Sequence, residues 1–379
     1  MKVLHIAAGS LFGGVETLLV TLARCRDMCR EMEPEFALCF DGRLGEELRN
    51  TGAPVHMLGN TRIRNPLSIR RARRALANLI ESRRFEIVVC HMEWSQAIFG
   101  TVAREAGLPL VFWLHNASSG KRLVEHLASR VPPDLVICNS KFTTQFVPLI
   151  YPGIPFKIVY NPVQLHIAPS WPGLRFDVRR EFDTPQEAVV LIQMSRLDKS
   201  KGHYVLLDAL ARLDDTPNWV CWMVGGPQRS KERRYFEKIK HRAKQKGLSE
   251  RIRFAGERSD VPRLLAGADI HCQANTGPES FGIVFIEALD AGLPVVTSAI
   301  GGALDIVDPS CGLLVQPGDP AALAAALRPL IEDESERVRL GVCGPARAKE
   351  LCDPRTSLER LCTILAELCE PRGVRQLAL

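Results

Sequence analysis

The sequence is short of several things that would settle its class at once. No uninterrupted apolar stretch reaches the ~18 residues of a membrane-crossing helix, so a helical membrane span is not expected. The opening Met1-Lys2-Val3-Leu4-His5-Ile6 runs on to Gly9 and Gly13 without the longer apolar core and small-residue cleavage site of a signal peptide, and a cytoplasmic location is the expectation. There is no Cys-x-x-Cys pair among the 12 cysteines, which argues against a zinc knuckle or a redox dithiol. Cys25 and Cys29 stand one helical turn apart but have no histidine at ligand spacing. Cys39, Cys90, Cys138, Cys221 and Cys272 lie in or beside apolar runs, where cysteine acts as a small buried hydrophobe. Gly9, Gly13 and Gly14 do not make a Gly-x-Gly-x-x-Gly fingerprint, which disfavours a nicotinamide dehydrogenase. Aromatic residues are only 6% of the chain. Few accompany the arginines, which disfavours a nucleic-acid partner.

What is present suits a soluble α/β protein of two domains. The 379 residues exceed one ordinary core, and 46% hydrophobic with 24% charged is a globular composition. Short apolar runs alternate with amphipathic segments from the start: Val3–Ala7, Phe36–Phe40, Val55–Leu58, Ile87–His91, Leu110–Leu114 and Leu135–Asn139, with a first helix over Val15–Cys29. A second series follows at Val189–Met194, Val220–Val224, Ile252–Ala255, Ile270–Gln273, Val295–Thr297 and Leu313–Val315. Its helices include Gly202–Arg212, Ser230–Lys246, Gly282–Ala291 and Pro320–Ile331. Strands apolar on both faces with helical crossovers predict parallel sheets covered by helices. Pro162, Pro169, Pro172 and Pro185 disfavour continuous structure between the series. The expected organisation is therefore a Rossmann-like domain over 1–165, a linker over 166–185, a second Rossmann-like domain over 186–353, and a C-terminal helical segment over 354–379 that could cross back to the first domain. Two such sheets facing each other across a cleft would share a site beyond the carboxyl ends of their strands.

The net charge of +6 is unevenly placed. Residues 1–165 hold 20 Lys and Arg against 14 Asp and Glu, and the remainder holds 29 of each. Much of the excess lies between Arg62 and Arg84, with eight arginines and one glutamate. From Leu67 the pattern is helical, with Ile69, Ala72, Leu76, Leu79 and Ile80 on one face and arginines over the rest. A solvated helix covering a sheet is one reading. Contact with an anionic membrane surface, at the inner face of the cell membrane, or with an acidic acceptor is the other.

Three segments carry residues suited to chemistry. Gly13-Gly14-Val15-Glu16 follows the first strand and opens a helix, where glycines let backbone N–H groups approach a phosphate; a simple tight turn is the alternative. Arg196 and Lys201 follow the strand Val189–Met194 and precede a helix near Gly202. Two fixed cations there can neutralise the charge that builds on a departing diphosphate. Glu279 and Glu287, eight residues apart, bracket Ser280-Phe281-Gly282-Ile283. With a helix beginning at Phe281 or Gly282, the N–H groups of Phe281, Gly282 and Ile283 can hold a phosphate. Glu279 can then accept from sugar hydroxyls and Glu287 from a ribose diol. Glu287 sits among Phe285, Ile286, Ala288 and Leu289, where a polar residue needs a partner. Asn139-Ser140, Asn161-Pro162 and Asn275-Thr276 are candidate cleft-edge groups.

The chain resembles glycosyltransferase family 4, the retaining GT-B enzymes that use nucleotide-sugar donors. The resemblance rests on Gly13-Gly14-Val15-Glu16, Arg196 with Lys201-Gly202, Val224-Gly225-Gly226-Pro227 and the Glu279-x7-Glu287 segment, in that order. It implies that Arg196 and Lys201 hold the donor diphosphate, that the Phe281–Ile283 backbone caps it, that Glu279 contacts the donor sugar and that Glu287 contacts the ribose. His115, in Trp113-Leu114-His115-Asn116, matches the family's histidine near the donor sugar; a purely structural histidine is the alternative. Ser280 stands where glycine is common, and Asn116 where aspartate is often found. There is no Asp-x-Asp, the pattern by which metal-dependent transferases commonly hold a diphosphate, and protein cations with helix N–H groups are expected to serve instead. The implied activity is transfer of a hexosyl unit from a UDP- or GDP-linked sugar to a glycan or lipid-linked acceptor, with retained configuration and no cofactor. The first domain would take the acceptor and the second the donor. A GT-B-like nucleotide-sugar epimerase and a non-catalytic nucleotide-sugar-binding protein are the alternatives.

Overall fold

A computed structural model describes residues 1–9, 12–165 and 173–370. The chain divides into two units, Met1–Gln164 with the segment from Cys352 onward, and Leu165–Leu351. The first has seven strands, six from the apolar runs and a seventh beyond them: β1 (Lys2–Ala7), β2 (Glu33–Leu38), β3 (Val55–Met57), β4 (Ile87–His91), β5 (Leu110–Leu114), β6 (Leu135–Cys138) and β7 (Phe156–Ile158). They form one parallel sheet in the order β3-β2-β1-β4-β5-β6-β7. Alternation along the strands sends neighbouring residues to opposite faces. Val3, Val89 and Trp113 pack with Leu18 and Leu22 of the helix Gly14–Arg24. Leu4, Ile6, Val88 and Cys90 pack on the other side with Leu76, Ile80 and Phe99.

The helix Pro354–Cys369 belongs to this first unit. Pro354 fills its first turn, and the Asp353 carboxylate accepts from Thr356 N–H at 3.0 Å, a standard start. Leu358, Leu361 and Leu365 then recur on one face and are buried against the Val3, Leu18 and Leu22 side of the sheet. Residues 371–379 of the expected C-terminal segment lie outside the described residues.

The second unit has six strands: β8 (Val189–Met194), β9 (Trp219–Val224), β10 (Ile252–Gly256), β11 (Ile270–Gln273), β12 (Val295–Ser298) and β13 (Gly312–Val315). Their order, β10-β9-β8-β11-β12-β13, is again wholly parallel. In both sheets the winding reverses beside the first strand, between β1 and β4 and between β8 and β11. At such a reversal the loops after adjacent strands turn away from each other and leave room for a ligand.

The stretch read as a linker, 166–185, is not structureless throughout. Residues 166–172 lie outside the described residues, but Leu174–Glu181 is a helix of the second unit. Its Arg179 side chain is fully buried. It donates to the carbonyls of Gly267, Gln186 and Ala188 and to the Asp269 carboxylate at 2.6 Å. A buried guanidinium is tolerated because each of its three nitrogens finds an acceptor, one of them a carboxylate.

Candidate functional site

The second unit gathers its polar groups where β8 and β11 diverge. After β8, Asp198 caps a short turn over Lys199–Lys201 by accepting from Ser200 N–H at 2.8 Å and Ser200 Oγ at 2.7 Å. The Ser200 bonds, with Arg196 and Lys201 close by, hold the Asp198 carboxyl below its usual range. Gly202 ends the turn at φ +69°, and a Cβ there would lie 1.5 Å from the Ala274 carbonyl oxygen. Only glycine allows this loop to lie against the one after β11. The two loops are then stitched together: Thr276 N–H donates to Ser200 O at 2.8 Å, Thr276 Oγ1 to Lys199 O at 3.1 Å, and Gln193 Nε2 to Lys201 O at 2.9 Å.

This stitching brings Lys201 to Glu279, and the two form an ion pair with side chains 16% and 20% exposed. Gln273 Nε2 lies 3.5 Å from the same carboxylate. The Glu279 backbone is fixed from its far side, since it bridges Gly301 and accepts from Gly302 N–H at 2.6 Å. Arg196 is exposed and makes no ion pair among the described residues. A cation pair with one member already anchored and the other free to swing is thus available at the end of β8.

Gly282 adopts φ +112°, and a Cβ there would meet the Phe285 ring at 2.4 Å. It is the cap of the helix Ile283–Asp290, so the expected helix start at Phe281 or Gly282 moves to Ile283. The left-handed residue explains the shift: Gly282 turns the chain into the helix and is not part of it. The first internal bond of the helix runs from Phe285 N–H to Gly282 O at 2.9 Å, and the N–H groups of Gly282, Ile283 and Val284 have no partner among the described residues. These are oriented donors at the positive end of a helix. Phe281, its N–H expected beside those of Gly282 and Ile283, precedes the cap and buries its side chain at the turn.

Glu287 lies one turn further along the same helix. It is half-buried by surface area, and no hydrogen-bond donor reaches its carboxylate among the described residues. Burial, aided by the nearby Asp290 carboxylate, pushes its pKa up to about 7. An acceptor held in that state gains from any donor that approaches it. Gln273 Oε1 and Asn275 Nδ2 are buried without partners nearby. Gln273 Nε2 itself donates to Asn275 Oδ1 at 3.0 Å. Among the described residues no group of three His, Cys, Asp or Glu is arranged to hold a metal ion.

In the first unit, Gly13 caps the helix Gly14–Arg24 in an extended conformation, φ −170°, with Thr17 N–H and Oγ1 both donating to its carbonyl. The left-handed region is not what asks for glycine there. His115 follows β5 and is 8% exposed. It does not stand alone. Its Nε2 is 2.9 Å from His91 Nδ1, and His91 Nε2 is 3.0 Å from His5 Nδ1. His91 stacks on both His115 and Trp113. Asn139, Ser140 and Asn161 are buried at the same end of the sheet.

Two family models match the chain: Glycosyltransferase Family 4 over residues 12–166, and Glycosyl transferases group 1 over 175–346. The chain belongs to glycosyltransferase family 4. Its fold is GT-B, two Rossmann-like domains each with a parallel sheet. Over 97% of its length it superposes on the whole of Anabaena Alr3699/HepE, crystallised with UDP and glucose, at a TM-score of 0.86 and 26% identity. It is 34% identical over 167 residues to the Rhizobium meliloti lipopolysaccharide core biosynthesis glycosyltransferase LpsE, covering 44% of this chain and 46% of that one. It is 37% identical over 164 residues to the Mycobacterium leprae phosphatidyl-myo-inositol mannosyltransferase, covering 42% of each. The matched stretch is thus under half the length of those two relatives.

The sequence points to Arg196 with Lys201 and to Glu279 with Glu287, each pair from its own segment. That reading missed that Lys201 and Glu279 pair with each other and that Gln193 and Gln273 hold them. It also missed the three-histidine chain. The available signal was that His5, His91 and His115 all fall near the ends of strands that the winding rule makes neighbours.

Proposed function

We propose that this chain is a glycosyltransferase that moves a hexosyl unit from a nucleoside diphosphate sugar to an acceptor hydroxyl with retained configuration. The observation that carries the reading is the meeting of Lys201, Glu279, an exposed Arg196 and three helix N–H groups, unbonded among the described residues, at the reversal between β8 and β11. Lys201 has three donor positions, so it can keep Glu279 with one and hold a phosphate oxygen with another. Arg196 offers a fork to the same diphosphate. Together with the helix start they stabilise the negative charge as the diphosphate leaves. No metal ligand set is needed for that task. Glu279, held in place by Lys201, is left with an oxygen to accept from sugar hydroxyls, and Glu287 accepts from the ribose diol. Uridine is the first base to test, because the Anabaena protein was crystallised with UDP; GDP-linked sugars are the second.

The acceptor is a glycan or lipid-linked glycan taken by the first unit, in synthesis of a cell-surface polysaccharide or glycolipid. The helix Pro66–Arg83 supports a membrane-facing role. It buries Ala72, Leu76 and Ile80 and leaves Arg70, Arg71 and Arg74 exposed beside an exposed Leu67, with Arg62, Arg64 and Arg84 exposed at its flanks. An anionic leaflet attracts each such cation by about 1 kcal/mol. By this reading the protein works in the cytoplasm at the inner face of the membrane.

The test is turnover and binding in the purified full-length protein. UDP, GDP and ADP are screened by thermal shift, then their hexoses with candidate acceptors. Lys201→Met is expected to lose about ten- to a hundredfold in nucleotide affinity, the range for a hydrogen bond to a charged group. Glu279→Ala is expected to lose transfer while still binding nucleotide. Near wild-type transfer by either variant, or an epimerised donor in the absence of acceptor, would overturn the reading.

A further inference from the structure

We propose that His5 and His91 are positioning residues that lock His115 as a neutral imidazole carrying its proton on Nδ1, so that His115 presents a hydrogen-bond donor, not a base, to a ligand oxygen at the end of β5. The role in transfer rests on the function proposed above; the tautomer does not.

The geometry leaves two possibilities. The chain of contacts runs His5 Nδ1 to His91 Nε2 at 3.0 Å, then His91 Nδ1 to His115 Nε2 at 2.9 Å. A neutral imidazole has one N–H and one lone pair. Each contact therefore needs one ring to donate and the other to accept, and fixing one tautomer fixes all three. In the first arrangement every ring is protonated on Nδ1. His5 donates to His91, His91 donates to His115, and His115 Nδ1–H has no acceptor among the described residues and is left for a ligand. In the second every ring is protonated on Nε2, and His115 presents a lone pair instead.

The inner end of the chain decides between them. His5 is fully buried, and its Nε2 has no partner among the described residues. The first arrangement leaves a bare lone pair there. The second buries an orphan N–H, the rarer and costlier defect. A charged form is no escape. Burial lowers the pKa of His5 and of His115 to about 3, and burial with the two flanking rings lowers that of His91 well below its ordinary value. All three stay neutral across the physiological range.

The same dead end rules out a proton relay. Passing a proton out through His115 Nδ1 would require a replacement to enter at His5 Nε2, which has no hydrogen-bond partner among the described residues to supply one. The stacking is also fixed from outside the chain. His5 lies against Phe36 at 5.5 Å between centroids and His91 against Trp113 at 5.4 Å. Met92, directly after His91, is held at φ +69°, a conformation costly for a residue with a side chain. That kink ends β4 directly after His91.

The experiment is long-range 15N–1H correlation of the histidine rings in the labelled full-length protein at neutral pH, with no donor added. The expected result is a His115 ring with pyrrole-type Nδ1 and pyridine-type Nε2, and the same pattern for His91 and His5. His5→Asn supplies an amide N–H in place of Nδ1–H and is expected to keep the His115 signature. His5→Leu removes the donor, and the two His115 nitrogens are expected to move toward an averaged pair of shifts. A protonated Nε2 or an imidazolium at His115 in the wild-type protein overturns the proposal. So does an unchanged His115 signature in His5→Leu. If His5→Leu does not fold, the wild-type and His5→Asn spectra still decide. Should transfer be detected, His5→Leu is expected to lower turnover at saturating donor about tenfold with nucleotide affinity unchanged within about twofold. A tautomer as stated with no transfer would sink the proposed function and leave this inference standing.

Discussion

Replacing Glu287 with glutamine gives a pH test with two opposite signs. The carboxyl has its pKa raised from 4.5 to about 7 by burial and by Asp290, and no donor among the described residues reaches it. If a ribose diol donates to it, binding favours the ionised form and lowers that pKa. Affinity must then be greatest above the free-protein pKa and fall as pH drops through it. With a pKa of about 7, roughly nine-tenths of the carboxyls are ionised at pH 8 and about one-tenth at pH 6. Nucleotide-sugar affinity is expected to weaken about tenfold, ~1.4 kcal/mol, over that interval. A nucleotide sugar is the right ligand, because a free terminal phosphate itself titrates near pH ~6. Titration calorimetry from pH 6 to 8 should show the slope in the wild type and a flat profile in Glu287→Gln. Stability runs the other way. A carboxyl whose folded pKa is raised contributes stability in full below its ordinary value and loses it as pH rises through about 7. The loss by pH 8 is on the order of 3 kcal/mol. Glu287→Gln escapes it, so the variant should melt above the wild type at pH 8 and level with it near pH ~4.5. A wild-type affinity that does not change between pH 6 and 8, or a variant less stable at pH 8, would refute the reasoning.

Three further outcomes follow, two from single residues and one from a group of three. Gly202→Ala forces a Cβ to 1.5 Å from Ala274 O in a left-handed turn; chemical denaturation should show a loss above about 2 kcal/mol, with nucleotide binding lost even where the protein folds. Asp319→Ala removes an acceptor for Ala321 N–H at 2.8 Å and Ala322 N–H at 3.0 Å at the start of the helix Pro320–Glu332, and should cost ~1 kcal/mol without touching affinity. Changing Arg70, Arg71 and Arg74 together to glutamine should abolish sedimentation with anionic vesicles at low salt and leave turnover of a soluble acceptor intact. Sedimentation equal to the wild type would remove the membrane part of the proposal.

The two-sheet layout was legible because buried strands with helical crossovers leave apolar runs that few other folds produce. Where the reading slipped, local chemistry masked the element. β2 starts at Glu33, three residues before its expected start, because Glu33, Pro34 and Glu35 look like a loop. Proline is tolerated there since β3 pairs only from Phe36 onward and leaves Pro34 open on that side. β7 was missed because it is a three-residue edge strand with an exposed Phe156. The first helix ends at Arg24, with a tighter turn over Arg26–Met28 where one long helix to Cys29 was expected. Leu174–Glu181 was hidden by its charge, since no sequence pattern announces that Arg179 will be buried against Asp269. At the site, residue types and strand ends could be read from the chain. Pairings such as Lys201 with Glu279, or His5 with His91, depend on which loops the sheet order brings side by side.

The most direct measurement is a crystal structure of the full-length protein with a bound nucleotide sugar. The account predicts the diphosphate within hydrogen-bond distance of Lys201 Nζ, the Arg196 guanidinium and the N–H groups of Gly282, Ile283 and Val284, with the ribose on Glu287. A nucleotide bound elsewhere, or a diphosphate touching none of these groups, would contradict it.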